Sequence, residues 1–319
     1  MISFRFHVVS ITAVFLAIAI GIVVGTTYVD GAVVDGLRNR IDSVENNLDD
    51  RKAENDRLDR ELGLAASYID QSADFAVTDR LTDVPVLLLA TRGVDEAAVV
   101  RTVELARRAG GLTPGVLWLE PRWDLENDDD RAALAEIIDG DANGASEDLR
   151  SDAWAAIVDE LVTTAEGGAT ATATDPPPAV LGPLTDAGFL SLDALDDTST
   201  ALADLAGTQP RVVVVTGARA EPGPKVLVPT IAEATVAAGL VTVLADVHVD
   251  APEAAARGEE LLASLSANVI GAAAIVDHAD RTEGQVATVL ALDAAADGPV
   301  GHLGYGDGAD GVVPTWTPP

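Results

Sequence analysis

The sequence predicts an α/β protein with three parts: an N-terminal transmembrane helix, a parallel coiled coil and a Rossmann-like parallel-sheet domain. An uncharged apolar run lies near the N-terminus, a heptad repeat follows it, and short apolar strand patterns then alternate with helical patterns. We place the signal-anchor transmembrane helix at 1–30, the coiled coil at 31–75, the α/β domain at 80–300 and a Gly/Pro-rich tail at 301–319.

Composition limits the partners and the chemistry of the chain. The 319 residues include 52 Asp and Glu against 20 Lys and Arg, which gives a formal net charge of −32. A field of that sign repels phosphate backbones, so we expect no nucleic-acid partner, whereas metal cations, basic partners or a salty medium suit it. The chain has no cysteine, which excludes disulfides, a cysteine nucleophile and thiolate ligands for Cu(I).

The apolar run spans residues 8–28 without a charged side chain, about the length that crosses a bilayer. It is longer than the core of a signal peptide and lacks a small-residue cleavage site, so we predict an uncleaved anchor, with a cleaved signal as the alternative. Arg5 before the run and the acidic domain after it favour a single-pass topology in the cell membrane with an extracytoplasmic C-terminal domain. Gly21 and Gly25 form a GxxxG pair that is a candidate packing surface for two membrane helices.

A heptad repeat follows the anchor. Its a and d positions run from Val34 to Ile69, and all of them are apolar except Arg51 and Asn55. A period of 3.5 predicts a coiled coil, and an Asn at an a position favours two strands. Because both anchors would enter one membrane, we expect a parallel homodimer; pairing with an envelope protein and a helix folded back on its own domain are the alternatives. The predicted interface residues are Leu37, Ile41, Val44, Leu48, Asn55, Leu58, Leu62 and Ile69.

The remainder of the chain alternates between strand and helix patterns. Fully apolar strands between helices are typical of a parallel sheet that is covered on both faces. The segment 167–179 is rich in Ala, Thr and Pro and is typical of an exposed loop. Strands are predicted at 84–91, 115–121, 211–218, 241–247 and 269–277, and helices at 95–109, 128–139, 146–166, 225–238, 252–267 and 284–296.

Most enzyme signatures are missing from the sequence. There is no GxSxG elbow, and no GxGxxG motif follows a strand. The segment from Gly217 to Lys225 has the wrong spacing for a phosphate loop, and its two prolines remove amide donors, so we interpret it as a turn between a strand and a helix. We therefore expect no enzymatic activity, no catalytic residues and no residues that bind an organic cofactor.

Two short clusters of histidine and aspartate remain as candidate metal ligands. Both stand at predicted carboxyl ends of strands, where open parallel sheets bind their ligands. Imidazole together with carboxylate suits Cu(II), Zn(II) or Ni(II). The alternative is that the aspartates cap the following helices and the histidines are solvated. The candidates are Asp246, His248 and Asp250 in the first cluster, and Asp277, His278 and Asp280 in the second.

Several segments resemble the actinobacterial copper transport protein B (MctB) family. They are the start MISFRFH, the GIVVG that ends the anchor, the coiled coil and the terminal GHLGYGDGADGVVP. The resemblance runs along the whole chain and is most specific at its ends. It implies an envelope protein of a Gram-positive, high-GC organism that acts in copper homeostasis or efflux, with a copper ion as the metal and an outer-membrane location in some descriptions. The residues themselves also suit a non-enzymatic coiled-coil scaffold that regulates cell-envelope or cell-division machinery.

Overall fold

The computed structural model describes residues 4–163, 179–196, 199–248 and 254–315, with the backbone alone at 27–33 and 254. The chain divides into two compact units, Met1–Ala66 and Ser67–Pro319. The helices are α1 Phe4–Val77, α2 Glu96–Arg108, α3 Asp128–Ile138, α4 Ser146–Val162, α5 Leu181–Asp186, α6 Pro224–Ala237, α7 Glu259–Ser264, α8 Ala267–Ala272 and α9 Thr282–Ala294. The strands are β1 Val86–Thr91, β2 Val116–Leu119, β3 Leu190–Asp193, β4 Arg211–Thr216, β5 Thr242–Asp246, β6 Ala274–Val276 and β7 His302–Leu303.

Helix α1 contains both the predicted membrane segment and the predicted coiled-coil segment. Its residues Phe4–Thr26 are long and apolar enough to cross a membrane, with a mean hydropathy of 2.7. The hydroxyls of Thr12 and Thr26 donate to the carbonyls of Val8 and Ile22, one turn earlier in the helix. Such bonds satisfy polar groups that a bilayer cannot hydrate. The segment therefore fits a membrane anchor by length and composition.

The large apolar side chains at the a and d positions from Val34 to Leu62 lie exposed along α1. Their exposed fractions run from 39% at Val34 to 68% at Leu62. Arg57 bridges Glu54 and Glu61 along another side of the same helix. Each Å² of apolar surface left in water costs about 25 cal/mol, so an uncovered stripe of this length is unfavourable. Within the described part of the single chain, the stripe remains uncovered.

The second unit is a three-layer α/β domain around a seven-stranded sheet with the order β3-β2-β1-β4-β5-β6-β7. Neighbouring strands are parallel, except that β3 runs antiparallel to β2. Leu87 and Leu89 of β1 face one core, and Leu88 and Ala90 face the other. Helices α3 to α8 cover the first face, whereas α2, α9 and the end of α1 cover the second. The prediction of an apolar sheet between two helical layers is confirmed.

Local signals explain where the helices begin. Asp95 accepts a hydrogen bond from the Ala97 amide at the start of α2, and Asn127 accepts one from Asp130 at the start of α3. These side chains satisfy amides that have no partner inside the helix. Pro224 opens α6, where its missing N–H costs nothing. Gly217–Lys225 therefore spans the turn between β4 and α6, as predicted.

Three details of the predicted sheet are wrong. The sheet is not wholly parallel, because the unpredicted strand β3 closes one edge in the antiparallel sense. The unpredicted strand β7 lies in the glycine-rich tail and pairs with β6. The first part of the predicted strand 269–277 is helical, because Ser266 accepts a hydrogen bond from the Val269 amide and caps α8. Only Ala274–Val276 of that segment joins the sheet.

The predicted helix 252–267 is also interrupted. Gly258 adopts a φ of +72° and separates a 3-10 turn at Ala254–Ala256 from α7. That conformation is readily available to glycine and unfavourable for residues with a Cβ, so the helix is broken at this position. The predicted loop 167–179 lies outside the described residues except for residue 179.

Candidate functional site

The carboxyl ends of β5, β6 and β7 bring the candidate metal ligands to one edge of the sheet. Asp246 is the last residue of β5, and Asp277 directly follows β6. The Ala279 amide donates to the Asp246 carbonyl at 3.0 Å, which ties the two segments together. Parallel strands end at a common edge, so the two clusters lie next to each other.

Asp246 and His248 of the first cluster line a cavity of 160 Å³. Gly217 and Ala218, which follow β4, form another part of its wall, together with Gly258. Gly217 is required there, because a Cβ at this position would overlap the carbonyl oxygen of Val247. The cavity therefore lies between the loops that follow β4 and β5. The third member of this cluster, Asp250, lies outside the described residues.

His248 lies beside Asp246 in the wall of this cavity. Its Nε2 atom lies 3.2 Å from Asp246 Oδ2, and the two side chains are 11% and 7% exposed. Among the described residues, no group forms a well-oriented hydrogen bond with that nitrogen. Burial lowers the pKa of His248, but the neighbouring Asp246 carboxylate outweighs burial, so the pKa is raised. The pair combines a nitrogen and an oxygen donor beside an open cavity.

Asp277 of the second cluster contacts the glycine-rich tail. Its fully buried carboxylate accepts hydrogen bonds from His302 Nε2 at 2.9 Å, from the Tyr305 amide at 2.9 Å and from the Gly306 amide at 2.7 Å. Burial alone would raise its pKa, but bonds from His278, His302 and these amides hold the pKa well below the usual range. Asp277 therefore anchors the glycine-rich tail, and its oxygens are already engaged.

The glycines of the tail make this anchorage possible. A Cβ at Gly304 would overlap the Asp277 carboxylate, and a Cβ at Gly306 would overlap the Arg257 carbonyl. Backbone amides can thus approach the carboxylate directly, as in other close backbone contacts that require glycine. The sequence alone predicts a Gly/Pro-rich tail at 301–319 and no chemistry for it. The glycine density is the signal that could have indicated a buried anion beneath the loop.

The other two members of the second cluster also lie against internal neighbours. His278 is fully buried, its Nδ1 lies 3.5 Å from Asp277, and its ring packs edge-on against Tyr305 at 4.9 Å between centroids. Among the described residues, no group forms a well-oriented hydrogen bond with either of its ring nitrogens. Asp280 pairs with Arg257, which is 2% exposed, at 2.7 Å. A buried ion pair of this kind needs both partners, because the remaining charge would otherwise be unsatisfied. Arg257 was not among the residues that the sequence singled out.

The candidate ligands therefore separate into an open pair and a closed cluster. Asp246 and His248 face a cavity, whereas Asp277, His278 and Asp280 hold the surrounding structure together. Across the ranges that the structure describes, no three His, Asp or Glu side chains converge in a way that could hold a metal ion. The described residues thus offer two protein ligands at the open pair.

The strand order reverses between β1 and β4, where doubly wound sheets usually bind ligands. Here the chain itself fills this crevice. The Glu221 amide donates to the Arg92 carbonyl at 2.7 Å, and a Cβ at Gly93 would overlap the Arg219 carbonyl. The loop after β4 therefore lies directly on the loop after β1. The open cavity is instead one strand further along, between β4 and β5.

Together these features define a class of protein: an α/β domain joined in sequence to one long helix whose first part fits a membrane anchor. The family model described as "Copper transport outer membrane protein, MctB" matches residues 1–314. The chain therefore belongs to this family, and the predicted resemblance is confirmed. Proteins named "Copper transporter MctB" from Mycobacterium bovis and Mycobacterium tuberculosis are each 27% identical over 326 residues, which cover 98% of this chain and 99% of theirs.

Proposed function

We propose that this protein handles copper in the cell envelope, as a single-pass membrane protein whose α/β domain lies outside the cytoplasm and has no enzymatic activity. The family match over residues 1–314 carries this proposal, since the relatives bear the name of copper transporters. The apolar segment Phe4–Thr26 supports the anchored location. A net charge of −32 supports attraction of cations to the domain.

Asp246 and His248 are the residues that we assign to copper. Imidazole nitrogen with carboxylate oxygen is a donor set that suits Cu(II), and the chain has no thiolate that would favour Cu(I). The pair lines the 160 Å³ cavity, whereas the oxygens of Asp277 are already engaged by the tail. Two ligands hold an ion more weakly than three or four, which suits a protein that receives and releases its metal.

The direct test is a Cu(II) titration of the purified full-length protein in detergent by calorimetry. His248→Ala removes the nitrogen ligand and is expected to abolish stoichiometric binding. Glu259→Gln is the matched control, because it removes an exposed charge on the neighbouring helix outside this cavity. Unchanged Cu(II) binding by His248→Ala would move the metal to another site. Absence of binding in the parent protein would contradict the proposal for the domain.

The same proposal predicts how much copper cells contain when this gene is deleted. A strain that lacks this gene should accumulate more copper than the parent strain across a series of copper concentrations, and the intact gene should restore the parental level. The gene carrying His248→Ala should fail to restore it, while the Glu259→Gln form should succeed. Unchanged cell-associated copper in the deletion strain would exclude a role in copper homeostasis.

A second candidate function is a non-enzymatic coiled-coil scaffold, and the exposed heptad stripe of α1 favours it. A parallel homodimer would cover Leu37, Leu48, Leu58 and Leu62, which lie exposed in the single chain. Asn55 at an a position suits two strands. The double change Leu58→Asp and Leu62→Asp should convert a dimer into a monomer, measured by the mass of the detergent-solubilised full-length protein. Abnormal cell division or separation with normal copper would favour this function over copper handling.

A further inference from the structure

Two aromatic side chains lie almost uncovered near the end of α1. Tyr68 is 74% exposed and Phe75 is 87% exposed, although the chain contains few aromatic residues. They are seven residues apart on one helix, so they lie on the same side of it. Four aromatic residues of the α/β unit, Trp118, Trp123, Trp154 and Phe189, are buried in its cores, and Tyr305 is 36% exposed.

The opposite side of this helical segment packs against the α/β domain. Ala73 and Val77 are buried to 1% and 0% exposure within the core beneath α2 and α9. Asp74 pairs with Arg108 at 2.6 Å and lies 3.6 Å from Arg101, both on α2. These contacts set the rotation of the segment about its own axis. Tyr68 and Phe75 are therefore held pointing away from the domain.

This rotation conflicts with an unbroken heptad. Continuing the register of Leu58 and Leu62 would put Ile69 in a dimer seam, with Ala73 beside it at the next e position. Ile69 is half-buried, and Ala73 is fully buried in the domain core. A partner helix would have to displace the domain in order to reach Ala73. The seam of a dimer must therefore leave the heptad register before Ile69.

The spacing of the residues provides an alternative path for the seam. Ala65 lies three residues after Leu62, and Tyr68 lies three residues after Ala65. The ordinary spacing then resumes, with Ser72 four residues after Tyr68 and Phe75 three residues after Ser72. Two consecutive steps of three are a stammer, a known local change in the winding of coiled coils. It would rotate the seam from the a and d positions onto the face that the domain leaves open.

We infer that a second copy of this chain covers Tyr68 and Phe75, so that the dimer seam passes through a stammer and continues along this face. The inference rests on the parallel dimer proposed above. Two anchors in one membrane place the same residues of two copies side by side, and paired aromatic rings attract one another beyond the effect of burial. A second copy also explains why aromatic residues stand on a surface that is otherwise strongly acidic.

Cysteine cross-linking tests this inference, because the chain has no cysteine of its own. We would introduce single cysteines into the full-length protein and oxidise them in membranes. Disulfides form only between Cα atoms less than about 7 Å apart, so the covalent dimer on a non-reducing gel reports the seam. Leu58→Cys reports the coiled coil, Ile69→Cys the unbroken heptad and Phe75→Cys the shifted seam. Arg60→Cys, at an outward f position, measures chance collisions.

The expected result is covalent dimer with Leu58→Cys and Phe75→Cys, and only the Arg60→Cys background with Ile69→Cys. Each variant should keep the thermal midpoint of the parent, which shows that the domain is folded. Dimer with Ile69→Cys would overturn the inference, because the heptad would then continue. Dimer with Leu58→Cys but not with Phe75→Cys would overturn it while the coiled coil stands. Background levels with Leu58→Cys would contradict the proposed dimer itself.

Discussion

Asp277 shows how one side chain can organise a whole segment. Its carboxylate collects a ring nitrogen and two backbone amides from residues 25 to 29 positions away in the chain. A buried carboxylate needs such donors, because an isolated charge in the interior is strongly unfavourable. The anchored tail in turn supplies β7, the edge strand beside β6. Asp277 therefore holds the tail in the position where β7 can pair with β6.

Gly304→Ala should be among the most destabilising small substitutions in the domain. The added methyl group would overlap the Asp277 carboxylate and force the tail away from it. We expect a loss of about 2–3 kcal/mol in the free energy of unfolding, measured by chemical denaturation of the full-length protein. Gly271→Ala is the control, since a Cβ there meets nothing within 4 Å. Equal stability of the two variants would show that the tail is not held by Asp277.

At the scale of elements, a polar cluster joins the ends of β1, β2 and β3. Arg92 after β1 donates to Glu120 after β2 at 2.8 Å and to Ser191 of β3 at 3.0 Å, and its guanidinium lies 4.4 Å from the Trp118 ring. Ser191 also donates to Glu120. The charge-assisted bonds hold the antiparallel edge strand to its parallel neighbours.

This cluster predicts a dependence of stability on pH. Burial raises the pKa of Glu120, but the bonds from Arg92 and Ser191 outweigh it, so the folded-state pKa is lowered. A lowered pKa stabilises the fold above the unfolded value of about 4.3, and this stabilisation is lost as the pH falls through the folded value. Glu120→Gln should therefore cost about 1–2 kcal/mol at pH 7, and progressively less toward pH 3.

Urea denaturation of both proteins from pH 7 to pH 3 measures this difference. The exposed Glu126→Gln variant is the control for loss of a negative charge in the same region. A difference between the parent and Glu120→Gln that stays constant over this range would show that the carboxylate charge is not what holds β3.

At the scale of the whole molecule, the net charge of −32 acts on every part of the fold. Like charges repel one another in the compact state, and salt screens this repulsion. The Debye length falls from about 30 Å at 0.01 M to about 10 Å at 0.1 M salt. The thermal midpoint of the full-length protein should therefore rise by several degrees over this interval of NaCl concentration.

Sucrose, which carries no charge, is the control for effects on hydration. A midpoint that rises with sucrose but not with dilute NaCl would show that self-repulsion is unimportant for this protein. A rise that begins only near molar salt would indicate the same.

Local sequence patterns were sufficient to predict the anchor-length helix and the strands β1, β2, β4 and β5. An uncharged run, a period of 3.5 and a mostly apolar strand are each recognised within a short stretch of chain, and strands covered on both faces are mostly apolar. The start of α3 at Asp128 and of α4 at Ser146 followed from the same local signals. Short or partly exposed elements such as β3 and β7 gave no comparable signal, because their strand identity depends on the neighbour with which they pair.

The sequence by itself determined an acidic, cysteine-free α/β chain with one membrane-length helix and a heptad stripe, because composition and periodicity are properties of the chain alone. Only the tertiary structure decided which of two similar His–Asp clusters stays open. Asp246 and His248 border a cavity, whereas Asp277 meets His302 and the tail. That choice depends on donors that are distant in sequence and meet only when β6 and β7 pair, so no local pattern contains it.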